Sequence, residues 1–155
     1  MQVIKSEEFN AELLTPIDPD KDNKLTLITY RNLKPLISCG QIYTSGVRKH
    51  KNRLEVVVHM ENNRIFRNML YEIQKSINKT MPNSRLPIYD DIMYLSLNSK
   101  AQFRDEKTND IMSIDEVRTG YIKHTPIIEV SAIYYDMILV RIYSSVVNRK
   151  YKAKM

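Results

Sequence analysis

A single change of hydrophobic period constrains this chain most. Apolar and polar residues alternate along most of its length, as in strands with one face buried. The alternation breaks once. Between Asn62 and Lys79 the apolar residues are Ile65, Phe66, Met69, Leu70, Ile73 and Ile77, at spacings of 3 and 4 that put one stripe on a helix. Asn62 or Asn63 is placed to cap its start. Before this helix lie Leu25–Tyr30, a weaker Leu36–Tyr43 broken by Gly40, and Arg53–Met60, with Ser45–Asn52 reading as a polar hairpin loop. After it come Ile92–Leu97, continuing through Lys100–Arg104, then Ile127–Tyr135 and Ile138–Val147, with a turn at Asp136–Met137. Three strands, one long helix and three or more strands predict a mostly β or α+β chain, either a five-stranded Greek-key barrel with a helix after its third strand or a flat antiparallel sheet with one helix across it.

At 155 residues the chain has the length of one domain and can bury a core without disulfides. The expected division is an acidic lead-in over 1–23, one domain over 24–147 and a basic tail over 148–155. Thr15-Pro-Ile-Asp-Pro-Asp20 reads as a turn that excludes regular structure. No apolar run approaches the length of a transmembrane helix, and the start lacks a basic and apolar leader. With a lone cysteine, Cys39, the expectation is a cytoplasmic or nuclear protein that is not secreted, has no membrane association, and keeps Cys39 as a small buried filler.

The formal net charge is +6, unevenly spread. Residues 1–23 carry −4, 31–60 carry +5, 105–116 carry −4 and the last eight carry +4. Such blocks build a basic face if the fold gathers the right ones. Ile, Lys, Asn and Tyr make up 54 of the 155 residues, which points to an AT-rich coding genome. Counts of Tyr or Lys therefore say little, and their placement carries the reasoning.

Several chemistries find no support. Glycines at 40, 46 and 120 make no phosphate loop. His50, His59 and His124 are scattered, so no metal site or cofactor is expected. Asp18-Pro-Asp-Lys-Asp-Asn23 starts like a calcium loop but lacks its turn glycine and bidentate Glu. Glu129, Asp105 and Lys100 are the one set that suits a Mg²⁺-dependent nuclease. The simpler reading puts Glu129 on the wet face of its strand, between Ile128 and Val130.

The strongest pattern interleaves bases and aromatics. Tyr43 leads into Arg48, Lys49, Lys51 and Arg53. Tyr94 points away from Met93, Leu95 and Leu97, and Lys100, Phe103 and Arg104 follow. In the last strand Ile138, Val140, Ile142 and Val146 form one face, leaving Arg141 and Tyr143 on the other. Cations attract phosphates and aromatic faces stack on unpaired bases. These eleven residues (Tyr43, Arg48, Lys49, Lys51, Arg53, Tyr94, Lys100, Phe103, Arg104, Arg141 and Tyr143) are the expected nucleic-acid contacts. Loop 45–53 is the expected clamp, and single-stranded DNA or RNA is the expected partner.

Two segments carry a family resemblance. Ile88-Tyr-Asp-Asp-Ile-Met-Tyr-Leu-Ser-Leu-Asn-Ser-Lys-Ala-Gln-Phe-Arg-Asp105 and Gly120-Tyr-Ile-Lys-His-Thr-Pro-Ile-Ile-Glu-Val-Ser-Ala-Ile-Tyr-Tyr135 resemble core segments of the OB-fold single-stranded DNA-binding proteins of large DNA viruses and phages. In that family an apolar strand ending in an aromatic pair leads into the last hairpin. The resemblance spans the C-terminal two-thirds. It implies an antiparallel OB-like Greek-key barrel with one long helix after the third strand, and non-enzymatic binding in replication or recombination. Two features depart from the family: the end is basic where phage members often carry an acidic tail, and there is no Trp, leaving stacking to Tyr. The alternative is a structural or interaction module, viral or host-factor binding, in which Ile133-Tyr134-Tyr135 continues a sheet across a homo-oligomer boundary. The acidic excursion 105–119 is expected to swing away from, or cover, the binding groove, anchored by Ile111, Met112 and Ile114.

Overall fold

The structure, a computed structural model, describes residues 2–17, 24–117 and 122–148. The chain is mostly β, and its centre is a closed five-stranded barrel. The barrel strands are β5 (Ile42–His50), β6 (Arg53–His59), β8 (Ile92–Asp105), β10 (Ile122–Tyr134) and β11 (Met137–Asn148). Around the barrel they run β5-β6-β8-β11-β10, and β10 closes back on β5 through Ile122–His124 against Ile42–Thr44. Only β8 and β11 are parallel; the other barrel pairs are antiparallel. Val47, Val56, Val58, Met93, Leu95, Val130 and Ile142 point inward and are at most 3% exposed.

Short strands extend the sheet along β10. They are β1 (Ile4–Lys5), β2 (Leu14–Ile17), β3 (Leu25–Tyr30) and β4 (Leu36–Ser38). β3 and β4 pair with β10, β1 pairs in parallel with β4, and β2 pairs with β3. The acidic lead-in is therefore partly sheet, contrary to the expectation of irregular chain. Pro16 is tolerated in β2 because among the described residues that strand pairs on one side only, so a missing N–H disturbs no second ladder. Residues 18–23, the whole calcium-like stretch Asp18–Asn23, lie outside the described residues, as do 149–155 of the basic tail.

Ser45–Asn52 is not a loop. Most of it belongs to β5, and only Lys51 and Asn52 turn, at φ 47° and 64°. Two successive left-handed residues match the twist of a tight hairpin. Gly46, at φ 99°, sits at the register shift between Thr44 and Val47. A residue with a side chain is strained there, and the bulge keeps Val47 facing inward.

The helix α1 (Arg64–Asn78) forms where its period requires, burying Phe66, Leu70, Ile73 and Ile77. Ile65, expected on that stripe, is 89% exposed. Asn63 stands at the N-cap without a side-chain cap bond. Its amide instead accepts from Tyr43 N–H and donates to the carbonyls of Tyr43 and His59, tying β5 to the helix start. α1 follows the sixth strand of the chain and the second of the barrel, not the third. Between the third and fourth barrel strands the described residues form β9 (Ile111–Met112) and α2 (Ile114–Val117). β7 (Ile88–Tyr89) pairs with the start of β8. No helix among the described residues is long and apolar enough to cross a membrane.

Candidate nucleic-acid interface

Alternation dictates which side chains leave the barrel. Val56, Leu95, Ile142 and Val130 point in, so their neighbours Glu55, Ser96, Arg141 and Glu129 point out. The ladders align these with Arg48 in one row: Arg48 opposite Glu55, Glu55 opposite Ser96, Ser96 beside Arg141, and Arg141 opposite Glu129. The row crosses all five barrel strands.

At its β5 end, Arg48 bonds Glu55 through Nε at 3.2 Å and Nη2 at 3.1 Å. The Arg48 guanidinium also lies over the Tyr94 ring, 3.7 Å from its centroid. The surface offered there is thus a guanidinium backed by a phenol. A base can stack on that cation or displace it from the ring. Lys49, Lys51 and Arg53 are exposed on the adjoining hairpin.

β8 and β11 break register just beyond the row. Leu97 pairs with Ile142 and Gln102 with Ser144, so the four residues Asn98–Ala101 stand opposite Tyr143 alone. Tyr143 is itself extra relative to β10, where Ile128 pairs with Ile142 and Ile127 with Ser144. A bulge of this kind re-aims side chains. Asn98 Oδ1 accepts the Lys100 N–H at 2.9 Å and fixes the turn. The result is a pocket of about 620 Å³, lined by Asn98, Ser99, Lys100 and Gln102 from β8, Tyr143 and Ser144 from β11, and Lys34 from the loop between β3 and β4. The same bulge swaps faces in β11: Val146 is 38% exposed, while Ser145 and Val147 are buried. Val146 therefore leaves the core face expected for it.

Glu129 joins the row to the pocket. It points outward, yet its side chain has no solvent exposure. That corrects the wet-face expectation, and the cause is the cover formed by the 31–35 loop. Pro35 O accepts Val130 N–H at 3.1 Å, and Lys34 Nζ reaches Glu129 at 3.3 Å. Arg141 Nη2 pairs with Oε1, and Asn98 Nδ2 donates to Oε2 at 3.2 Å. Burial pushes the carboxyl up. Hydrogen bonds from Arg141 and Ser131, with the charges of Arg141 and Lys34, outweigh that and hold it below its ordinary value.

The expected contacts divide into groups. Arg48, Lys49, Lys51, Arg53, Tyr94, Lys100, Arg141 and Tyr143 gather on the row, its hairpin and the pocket. Tyr43 sits six positions before Lys49 on β5, roughly 20 Å away along the strand, with Lys123 Nζ 5.2 Å from its ring centroid. Arg104 turns to the acidic excursion, donating to Asn109 O and Gln102 Oε1. Phe103 is a correction: it is 1% exposed, inside the barrel and edge-on to His124 at 5.6 Å, so it stacks no base. Its odd number matches Met93, Leu95 and Leu97, a parity that already marked it as core. Lys34 and Asn98 went unread. Nothing local marks Lys34, whereas the polar break Asn98-Ser-Lys in an alternating strand was a signal for the bulge.

The nuclease set does not assemble. Val147 pairs with Asp105, and Arg141 with Glu129, six positions apart on β11. That is about 20 Å along the strand, and Asp105 Oδ1 is already accepting from Lys107 N–H at 2.8 Å. Cys39 is buried, which pushes its thiol up to about 12. The excursion pairs with the far part of β8, Phe103–Arg104 against Met112–Ile111, away from the row. Met112 and Val117 are buried and Ile114 packs against the core, while Ile111 is 58% exposed and anchors nothing. Residues 118–121 lie outside the described residues. No family model, curated protein or solved structure matches the chain.

Proposed function

We propose that the protein binds single-stranded nucleic acid without catalysing a reaction, DNA in replication or recombination being the first candidate. One observation carries this reading. The outward row from Arg48 to Arg141, with Tyr94 stacked under Arg48, adjoins both a basic hairpin and a pocket holding Lys34, Lys100 and Tyr143. Cations at the backbone level with aromatic faces between them are what a sequence-tolerant single-strand surface needs.

The barrel order supports an OB-like reading. With strands numbered within the barrel, the ring is 1-2-3-5-4-1, third and fifth parallel, which is the OB order. In OB folds the second and third strands and the loop joining the first two form the usual oligonucleotide face. Here those are β6, β8 and the Lys51–Asn52 turn. The long helix departs from that plan by standing between the second and third barrel strands.

The test is fluorescence anisotropy of a labelled oligothymidine at rising salt. Micromolar or tighter binding with a steep negative salt slope is expected. Absence of binding at low salt overturns the reading. A second reading, a self-associating module, has its own observation: Tyr134, Tyr135, Leu27 and Ile17 are each about half exposed near one another in the sheet. A salt-insensitive oligomer by sedimentation, without nucleic-acid affinity, favours it.

A further inference from the structure

The groove has one open side and one closed side. Outward side chains on β6 and β8 at the level of the row, Glu55 and Ser96, are partly exposed. On β10 the equivalent residue, Glu129, has none of its surface exposed, because the 31–35 loop covers it. A strand laid across the sheet from the Arg48 side therefore meets a wall at Lys34. The pocket lies at the foot of that wall.

Its charge is also particular. Lys34 and Arg141 both pair with the single carboxylate of Glu129, and Lys100 lines the same pocket as Lys34, so these three cations exceed the carboxylate by two charges at the closed end. Glu129 spends one acceptor oxygen on Arg141 and the other on Lys34 and Asn98. Among the described residues Lys100 has no ion-pair partner. An internal phosphodiester carries one negative charge. A terminal phosphate monoester carries about 1.5 to 2 at neutral pH and three acceptor oxygens. The pocket, about 620 Å³, is open to solvent.

We infer that the pocket beside the β8 bulge seats the phosphorylated end of a single strand, with Lys34 and Lys100 on a terminal phosphate monoester. This rests on the single-strand reading above and assigns that surface a preference for strand ends. Tyr143 flanks the same pocket and is placed to support the terminal nucleoside.

The experiment compares three otherwise identical oligothymidines at moderate salt: 5′-phosphorylated, 3′-phosphorylated and unphosphorylated. One phosphorylated form is expected to bind about tenfold tighter than the unphosphorylated one, as charge-assisted hydrogen bonds to a dianion allow. Lys34→Ala and Lys100→Ala, both at solvent-exposed side chains, are each expected to bring that ratio towards one. Equal affinity of all three for the wild type overturns the end preference and leaves the broader reading standing. A ratio that survives in both variants also overturns it, because the phosphate then sits elsewhere. Failure of all three to bind overturns both.

Discussion

Arg141 and Glu129 face each other across the β10–β11 ladder, the carboxylate fully buried and the guanidinium partly exposed. The pair is held from two further elements, by Lys34 and by Asn98. Glu129→Gln leaves two cations and an amide competing around a neutral group, and is expected to cost about 2 kcal/mol in urea unfolding. The sign with pH follows from the direction of the shift. A carboxyl held below its ordinary 4.5 stabilises the fold above that pH. That contribution is lost as pH falls from there through the folded value. The difference between wild type and variant therefore shrinks in acid.

His124 gives a separate acid sensitivity. It is buried on β10, Nδ1 3.0 Å from Ser145 Oγ of β11, and burial lowers it from 6.5 to about 4. It is neutral in the folded protein and gains a proton on unfolding below 6.5. Stability is full above 6.5 and falls by about 1.4 kcal/mol per pH unit on the way to 4. Unfolding free energies from urea titrations at pH 7 and pH 5 should differ by about 2 kcal/mol in wild type and much less in His124→Phe. Equal values in wild type contradict this.

Phe103 and Tyr143 separate core from surface. Phe103→Ala should cost about 3–5 kcal/mol of stability through the cavity it leaves. Tyr143→Ala, at a partly exposed side chain, should cost clearly less stability than Phe103→Ala and weaken single-strand binding by about 1–3 kcal/mol. Anisotropy on both variants, with folding checked by circular dichroism, distinguishes the two roles.

Position along the barrel sets which cations matter. Arg48→Ala should lower the salt slope by about 0.7, one single-strand phosphate contact. Arg104→Ala, at a side chain committed to Asn109 and Gln102, should change neither affinity nor slope. A loss from Arg104→Ala equal to that from Arg48→Ala would falsify the placement of the groove.

Local periodicity made much of this fold legible. The alternation of Leu54, Val56, Val58 and of Met93, Leu95 located β6 and β8, and the 3–4 spacing located α1. The strand Ile42–His50 was hidden by its polar sequence, because Arg48 and Lys49 pair with Glu55 and Leu54 while only Ile42, Thr44 and Val47 are needed inside. The lead-in was misread because Pro16 matters less on a strand that, among the described residues, pairs on one side only. Strand parity put Tyr94 and Arg141 outward, whereas Arg48, Lys49, Lys51 and Arg53 were read from a supposed loop, and Lys49, opposite Leu54, takes the face of Val47 rather than that of Arg48. Phe103 failed by ignoring that parity. Glu129 failed for a different reason: its burial comes from a loop more than 90 residues earlier in the chain, which no local pattern reveals.

Amide chemical-shift mapping of the ¹⁵N-labelled protein titrated with a short oligothymidine locates the interface most directly. Perturbations should concentrate at Lys34, 48–55, 94–102 and 141–144, with Tyr43 and 105–117 nearly silent. Shifts confined to 105–117 or to Tyr134–Tyr135, with the Arg48–Arg141 row unmoved, would contradict single-strand binding at this groove.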